Sequence, residues 1–405
     1  MFACVFQSRI LLCLFLMMAW TVLTVTGCPA QSHGLEETTG SDPFPHKARI
    51  RYAQGFTVEY HPTHKRLHVL SPWRAARVTF SYTLVPRGQK PSVVSPADMI
   101  IEVPVERLAL VSTSNLAYFA MLHLEESLVG IARCRRVCTP EIVERIRQGH
   151  IAEIGAGNSG MVTKLNMERL YALQPDVVLV YGTGTPEYDH HPKLLEAGFR
   201  PVMDAAYMEP TPLGRAEWIK FLAVLFNKEE EAERIFDGIA RNYEELARKA
   251  SSVPVRPTVF HGTAYKNLWY MPGGDSYAAR FYADAGATYL WADDSTRGSM
   301  ALSVETVLNR ARDAEFWLNP GTCRSLRELK RTDERYGLFR AFRTGKIYNN
   351  DARVGPGDAN DFWETGTARP DLVLADLIHI FHPELAPSHE PAWYRKLPGL
   401  PEEAP

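Results

Sequence analysis

Two glycine-bearing stretches of this 405-residue chain collect the side chains best suited to gripping a ligand. In GTAYKNLWYMPGGDSY, Tyr265, Trp269, Tyr270 and Tyr277 surround a Met-Pro-Gly-Gly loop; in NNDARVGPGDANDFWETG, Asn350, Arg353, Asn360, Asp361 and Trp363 share a second. Rings supply rigid apolar area and a guanidinium supplies oriented charge, so such loops suit a large ligand that is part apolar and part anionic. The alternative is that Trp269 and Trp363 fill a core. A third group, Tyr207, Glu209 and Arg215, stands at the head of a helical stretch in which Trp218 and Phe221 read as core.

Other chemistry finds less support. GAGNSG, residues 155–160, matches G-x-G-x-x-G, but a dinucleotide fingerprint opens a helix at its last glycine. Here helical spacing resumes only near Lys164 or Leu165, so the motif reads as an irregular strand-to-helix loop. The histidines include His190-His191, in a polar loop where solvated rings are expected, and His379 with His382, which end the last helix and can favour its C-terminus. No H-E-x-x-H pattern accompanies them, and no metal site is assigned. G-x-S-x-G is absent and no cysteine is flanked as a nucleophile, so the residues do not argue for an enzyme. With 45 Lys and Arg against 47 Asp and Glu, the basic excess that nucleic acid demands is missing.

The elements that must position these residues come in blocks. Arg9, an apolar run from Ile10 to Val25, and Val25-Thr26-Gly27-Cys28 read as a signal peptide, residues 1–27, that ends in a lipobox with Cys28 as the lipid acceptor. Removing it takes one positive charge and no negative one, so the net charge goes from −2 to −3. Cys134 and Cys138 stand close enough to form a disulfide if their segment is not a regular helix, and Cys323 is alone. Residues 28–46 read as a flexible tether, and 47–104 as an antiparallel β extension built from GFTVEY, KRLHVLSPW, ARVTFSYTLVP and MIIEVP. From Leu108 short apolar runs alternate with helical spacing, the mark of an α/β fold with a mainly parallel sheet flanked by helices. That rhythm gives a first lobe over 105–210 and a second over 253–390. Between them, 211–252 reads as one long helix or two abutting ones, and the tail 391–405 is expected on the surface.

Two lobes joined by a long helix behind a lipoprotein signal resemble the class III substrate-binding proteins of bacterial ABC importers, the family that handles ferric siderophores, cobalamin and haem. The resemblance runs from about Val105 to Leu385 and is carried by VSTSNLAYF, LVGI, NMERLYALQPDVVLVYG, LSVETVL and RPDLVLADLIHIFHPEL. Its most specific piece is N-x-E-x-(I/L)-x-x-L-x-P-D-(L/V)-(V/I) at residues 166–178. In that family one exposed glutamate on each lobe docks on arginines of the permease, and the matching positions are Glu168 and Glu305. Each lies in a first helical turn, where the dipole would favour a carboxylate in any case. The extension is longer than the family's usual leader.

The resemblance implies an extracytoplasmic, lipid-anchored, monomeric receptor with no cofactor and no catalytic residues, which delivers a metal chelate to an ABC permease. The expected ligand residues are Tyr207, Arg215, Trp269, Tyr270, Asn350, Arg353 and Trp363, with Arg280 adding charge against an anionic chelate. A ferric siderophore is the first expectation, with cobalamin or haem second in the same role. Bare Zn or Mn ranks lower because no His/carboxylate quartet is evident. A signalling receptor, or a two-lobed metal-cluster enzyme with cysteine ligands near the cleft, are the readings from other classes.

Overall fold

Period-two alternation of apolar and polar side chains makes a strand with one buried face, and four short stretches between residues 56 and 103 follow it. In a computed structural model, which describes residues 42–89, 98–156 and 164–399, Phe56–Tyr60, Lys65–Val69, Phe80–Pro86 and Met99–Val103 form a four-stranded sheet in chain order. Phe56, Leu67, Val69, Tyr82, Leu84, Ile101 and Val103 form its buried face. The first two pairings are antiparallel as expected. The last is parallel, so the extension is a mixed sheet rather than an antiparallel one. Its connection, residues 87–98, has the length a crossover needs and a tight hairpin does not. The signal peptide, Cys28, the tether as far as residue 41 and residues 157–160 of GAGNSG lie outside the described residues.

The first lobe holds five parallel strands, Leu108–Leu110, Leu128–Ile131, Ala152–Glu153, Val177–Tyr181 and Pro201–Asp204. Numbered along the chain, their order across the sheet is 5-4-1-2-3. The chain therefore winds in opposite directions from the first and fourth strands, and the loops after those two diverge. Such a switch point leaves a crevice at the carboxyl ends of the strands. Asn166 caps the helix Met167–Leu173 by accepting from Arg169 N at 3.0 Å, and Gln174 closes it in the left-handed region at φ 44°. The Gln-Pro-Asp break thus feeds the chain into the buried strand Val177–Tyr181.

In the second lobe Thr258–His261, Thr288–Tyr289, Phe316–Leu318 and Ile347–Asn349 pair in parallel. Arg395–Lys396 adds an antiparallel edge strand. Residues 391–399 of the tail are therefore not a purely surface segment: Trp393, Tyr394 and Leu397 are buried, and the amides of Trp393 and Tyr394 donate to the Asp376 carboxylate at 2.8 and 3.2 Å. A smaller antiparallel sheet joins Ala264–Tyr265, Leu268–Pro272 and Ser299–Ser303.

The connecting region is more broken than expected. Pro212–Ala216 and Trp218–Phe226 are followed by Glu229–Ser251, and the chain turns at Asn227 with φ 55°. The two main helices have different surroundings. Every residue of Trp218–Phe226 is buried, whereas Glu229–Ser251 keeps one polar face and starts with three glutamates, which its N-terminal dipole favours. Asn tolerates the left-handed conformation that ends the first and lets the second begin.

Candidate ligand cleft

The crevice at the first lobe's switch point becomes a cleft of about 630 Å³, closed by residues of the second lobe and of the extension. That volume suits a ligand of drug size or larger. Ser112, Asn115 and Tyr118 come from the turn and helix after the first strand, and Tyr181, Gly182 and Thr183 from the end of the fourth. Asp204 ends the fifth and Tyr207 follows it; Trp363 and Thr367 face them from the second lobe.

The charged groups lining the cleft are Arg74, Arg215 and Asp204. Asp204 is buried and already engaged: Asn115 Nδ2 donates to it at 2.9 Å and Ala206 N at 2.9 Å. Burial pushes its carboxyl above the usual range, against the pull of those donors and of Arg215. Arg215 lies on the helix Pro212–Ala216, which Thr211 caps by accepting from Gly214 N at 3.0 Å. Its guanidinium sits 4.0 Å from the centroid of the Tyr277 ring and donates to Tyr207 O at 2.8 Å. Among the described residues Arg215 has no ion-pair partner, and its buried Nε has no acceptor. Tyr207 donates its hydroxyl to Gly182 O at 2.7 Å, and burial pushes its phenol up to about 12, so it remains protonated.

Three of the seven expected ligand residues, Tyr207, Arg215 and Trp363, meet in this cleft, and Trp363 is 53% exposed there. The other four do not. Leu268–Pro272 is a strand rather than a loop, so its side chains alternate. Trp269 is 0% exposed among Phe260, Trp317, Tyr336 and Phe339, and Tyr270 points outward on the opposite face. Asn350 is buried and accepts from Asn360 Nδ2 at 3.2 Å. Arg353 is held 3.0 Å from Asp361, over the Trp393 ring. Arg280 is paired with Asp284 at 2.9 Å, away from the cleft. Glu209 is likewise spent elsewhere, accepting from the amides of Gln54 and Gly55 and from Trp218 Nε1.

Beside Trp363, Glu364 ties the two lobes together. Its carboxylate accepts from Thr139 N at 2.7 Å, Thr139 Oγ1 at 2.6 Å and Cys138 N at 3.0 Å, capping the first lobe's helix Pro140–Arg147 from the second lobe. Burial nevertheless pushes it up to about 7. Cys134, Cys138 and Cys323 are free thiols and none lines the cleft, so the possible disulfide is not formed. His191 is half-buried rather than freely solvated; its ring packs 4.5 Å from that of Phe80, and burial holds its imidazole below the ordinary value.

Glu168 and Glu305 are both exposed, each in a first helical turn. Glu305 pairs with Arg335 at 2.6 Å; a backbone amide at the helix start and that guanidinium hold its carboxyl below the usual range. Of the cleft residues that the sequence reading missed, Tyr181 and Asp204 end strands, Ser112, Asn115 and Tyr118 lie in the turn and helix after the first strand, and Arg74 comes from the extension. The strand order that makes those ends converge is the signal that would have found all but Arg74.

The family model described as periplasmic binding protein matches residues 108–354. An uncharacterised lipoprotein of Methanocaldococcus jannaschii is 29% identical over 70% of this chain and 67% of its own length. A second from the same organism is 27% identical over 93% of this chain and 96% of its own, a span that takes in the extension. Among solved structures, the Fe3+-hydroxamate transport protein of Saccharomonospora viridis has a TM-score of 0.51 at 19% identity, covering 69% of this chain and 94% of its own. A periplasmic haem-binding protein of Pseudomonas aeruginosa gives 0.51 at 19%, covering 71% and 95%. At such identities these structures speak for the fold, and the fold and the matched span agree: the chain belongs to the periplasmic binding protein family.

Proposed function

We propose that the protein captures an anionic metal chelate with apolar or aromatic surface between its lobes and delivers it to an ABC permease. The observation that carries this reading is the balance of the cleft among the described residues: Arg74 and Arg215 face it without ion-pair partners, Tyr207 and Trp363 give it rings, and the one carboxylate lining it, Asp204, already accepts from Asn115 and Ala206. A bare cation would meet two guanidinia and a single engaged carboxylate, a poor coordination shell. A ferric siderophore fits best, with haem next. Support for iron chelates also comes from two proteins of this fold, the Fe3+-hydroxamate transport protein and the haem-binding protein above.

The reading is tested by thermal-shift titration of residues 31–405 with ferric siderophores of several chemical types, haem, cobalamin and divalent ions. A chelate at 100 times its dissociation constant adds about 2.7 kcal/mol of stability. Stabilisation by free ions with no response to any chelate would overturn the proposal. In the same reading Cys28 carries the lipid that keeps the receptor at the membrane, and Glu168 and Glu305 dock on the permease. Glu168→Arg with Glu305→Arg should abolish uptake while leaving chelate affinity unchanged, since rim charges set orientation and encounter rate. Unimpaired uptake would remove the docking assignment.

A further inference from the structure

Residues 71–77 join the second and third strands of the extension, and this turn is seated on the first lobe. The Trp73 ring lies against the backbone of Gly182 and Gly184: a Cβ on either would come within 2.6 Å of it. Gly184 has φ +77°, which glycine adopts without strain. The Tyr207 hydroxyl, bonded to Gly182 O, also lies 3.4 Å from Pro72 O, and Phe80 meets Trp73 edge-on at 6.1 Å. Ala75 holds φ 59°, a backbone region an alanine keeps only when its surroundings fix it.

The residue between these fixed points is Arg74. It lines the cleft, is exposed, and makes no hydrogen bond or ion pair among the described residues. Its Nη1 lies 3.8 Å from where a Cβ on Gly298, in the second lobe, would stand. The turn therefore carries an unpaired guanidinium from the first lobe across the cleft to the edge of the second. The turn fixed on both sides of Arg74 spares a ligand the backbone share of the ordering cost and leaves it only the side chain to order.

We infer that the extension completes the ligand site, with Arg74 a specificity-determining residue that binds an anionic group of the chelate and discriminates against chelates of zero net charge. This rests on the proposed chelate-binding role. Arg215 supplies the second cation from the hinge, so a ligand with negative charge on two sides meets a guanidinium at each.

The experiment uses the full-length protein extracted in detergent, with tryptophan fluorescence as the readout. The probes are a trianionic ferric tris-catecholate and an uncharged ferric tris-hydroxamate, titrated into wild type, Arg74→Gln and Arg74→Lys. Wild type should bind the anionic chelate more tightly. Arg74→Gln should weaken that chelate about tenfold or more, the worth of one charge-assisted hydrogen bond, and leave the neutral one unchanged. Arg74→Lys should recover part of the loss, and the salt dependence of anionic binding should be steeper in wild type than in Arg74→Gln. An exposed, unpaired side chain is not needed for folding, which an unchanged thermal midpoint for both variants checks. Equal affinity of wild type and Arg74→Gln for the anionic chelate overturns the inference and leaves the chelate-binding role standing; a wild type that prefers the neutral chelate overturns the inference together with the anionic character of the proposed ligand, while chelate binding itself stands. A wild type that binds neither probe nor any chelate of the thermal screen refutes that role and this inference together.

Discussion

Glu217→Ala should release the extension from the hinge. The carboxylate is fully buried between the helices Pro212–Ala216 and Trp218–Phe226 and accepts from three consecutive main-chain amides, Arg51 N at 3.0 Å, Tyr52 N at 2.6 Å and Ala53 N at 2.9 Å. Lys220 Nζ, also buried, donates to it at 2.9 Å but keeps Arg49 O and Glu233 as partners. Alanine therefore strands three amides and leaves the lysine paired. At about 1–3 kcal/mol for each buried donor without an acceptor, less where water enters the vacated space, the cost is about 4 kcal/mol. Hydrogen exchange reads this locally: protection of the Arg51, Tyr52 and Ala53 amides should fall about a thousandfold, while the second lobe's strands keep theirs. Glu217→Gln preserves shape and one acceptor and should lose roughly half as much. Protection of these amides within about tenfold of wild type in Glu217→Ala would refute the reasoning, because three stranded donors cannot be that cheap.

Glu364 predicts a pH dependence of stability. Its folded value of about 7 lies above the ordinary 4.5, so between those values the folded state retains a proton that the unfolded state has lost. Stability should then fall as pH rises through that window, by up to about 3 kcal/mol. Urea midpoints for Glu364→Gln should be flatter over the same range, and parallel curves for the two proteins would contradict the assignment. Trp269→Ala should cost about 3–5 kcal/mol of unfolding free energy through the cavity it leaves, with little change in the chelate affinity of the folded protein. Trp363→Ala should do the reverse, with stability within about 0.5 kcal/mol and weaker binding; equal effects of the two on affinity would undo the separation of core from cleft.

The α/β alternation was legible because it is local. Leu170 and the Val177–Tyr181 run carry their burial in spacing alone, and Asn166 and Ser303 cap their helices with side chains one can read from the chain. The break at Asn227 was not placed: Asn227 and Lys228 ahead of three glutamates carry the signal, but the continuous apolar period left one long helix or two abutting ones. Trp269 was misplaced because Met-Pro-Gly-Gly signals a loop, while the strand that straightens Leu268–Pro272 lies about thirty residues on, at Ser299–Ser303. Trp393 sits in a proline-rich tail whose burial depends on Asp361 and Asp376, which no local pattern connects to it. Arg74 had no sequence signal at all; its place in the cleft depends on where the Trp73 ring finds two glycines more than a hundred residues away.

The seam between the extension and the hinge is written in main-chain amides. Glu209 and Glu217 hold residues 51–55 by groups that every amino acid except proline presents, so substitutions there leave the grip intact. Gly55 is the exception, since a Cβ would come 2.9 Å from the Trp218 ring. What the segment must inherit is its length: a single inserted or deleted residue would move every amide off its carboxylate, while side chains drift freely. Homologues can thus share this attachment with little identity across it, and the two glutamates with the glycine, rather than the residues they hold, are the marks by which to find it.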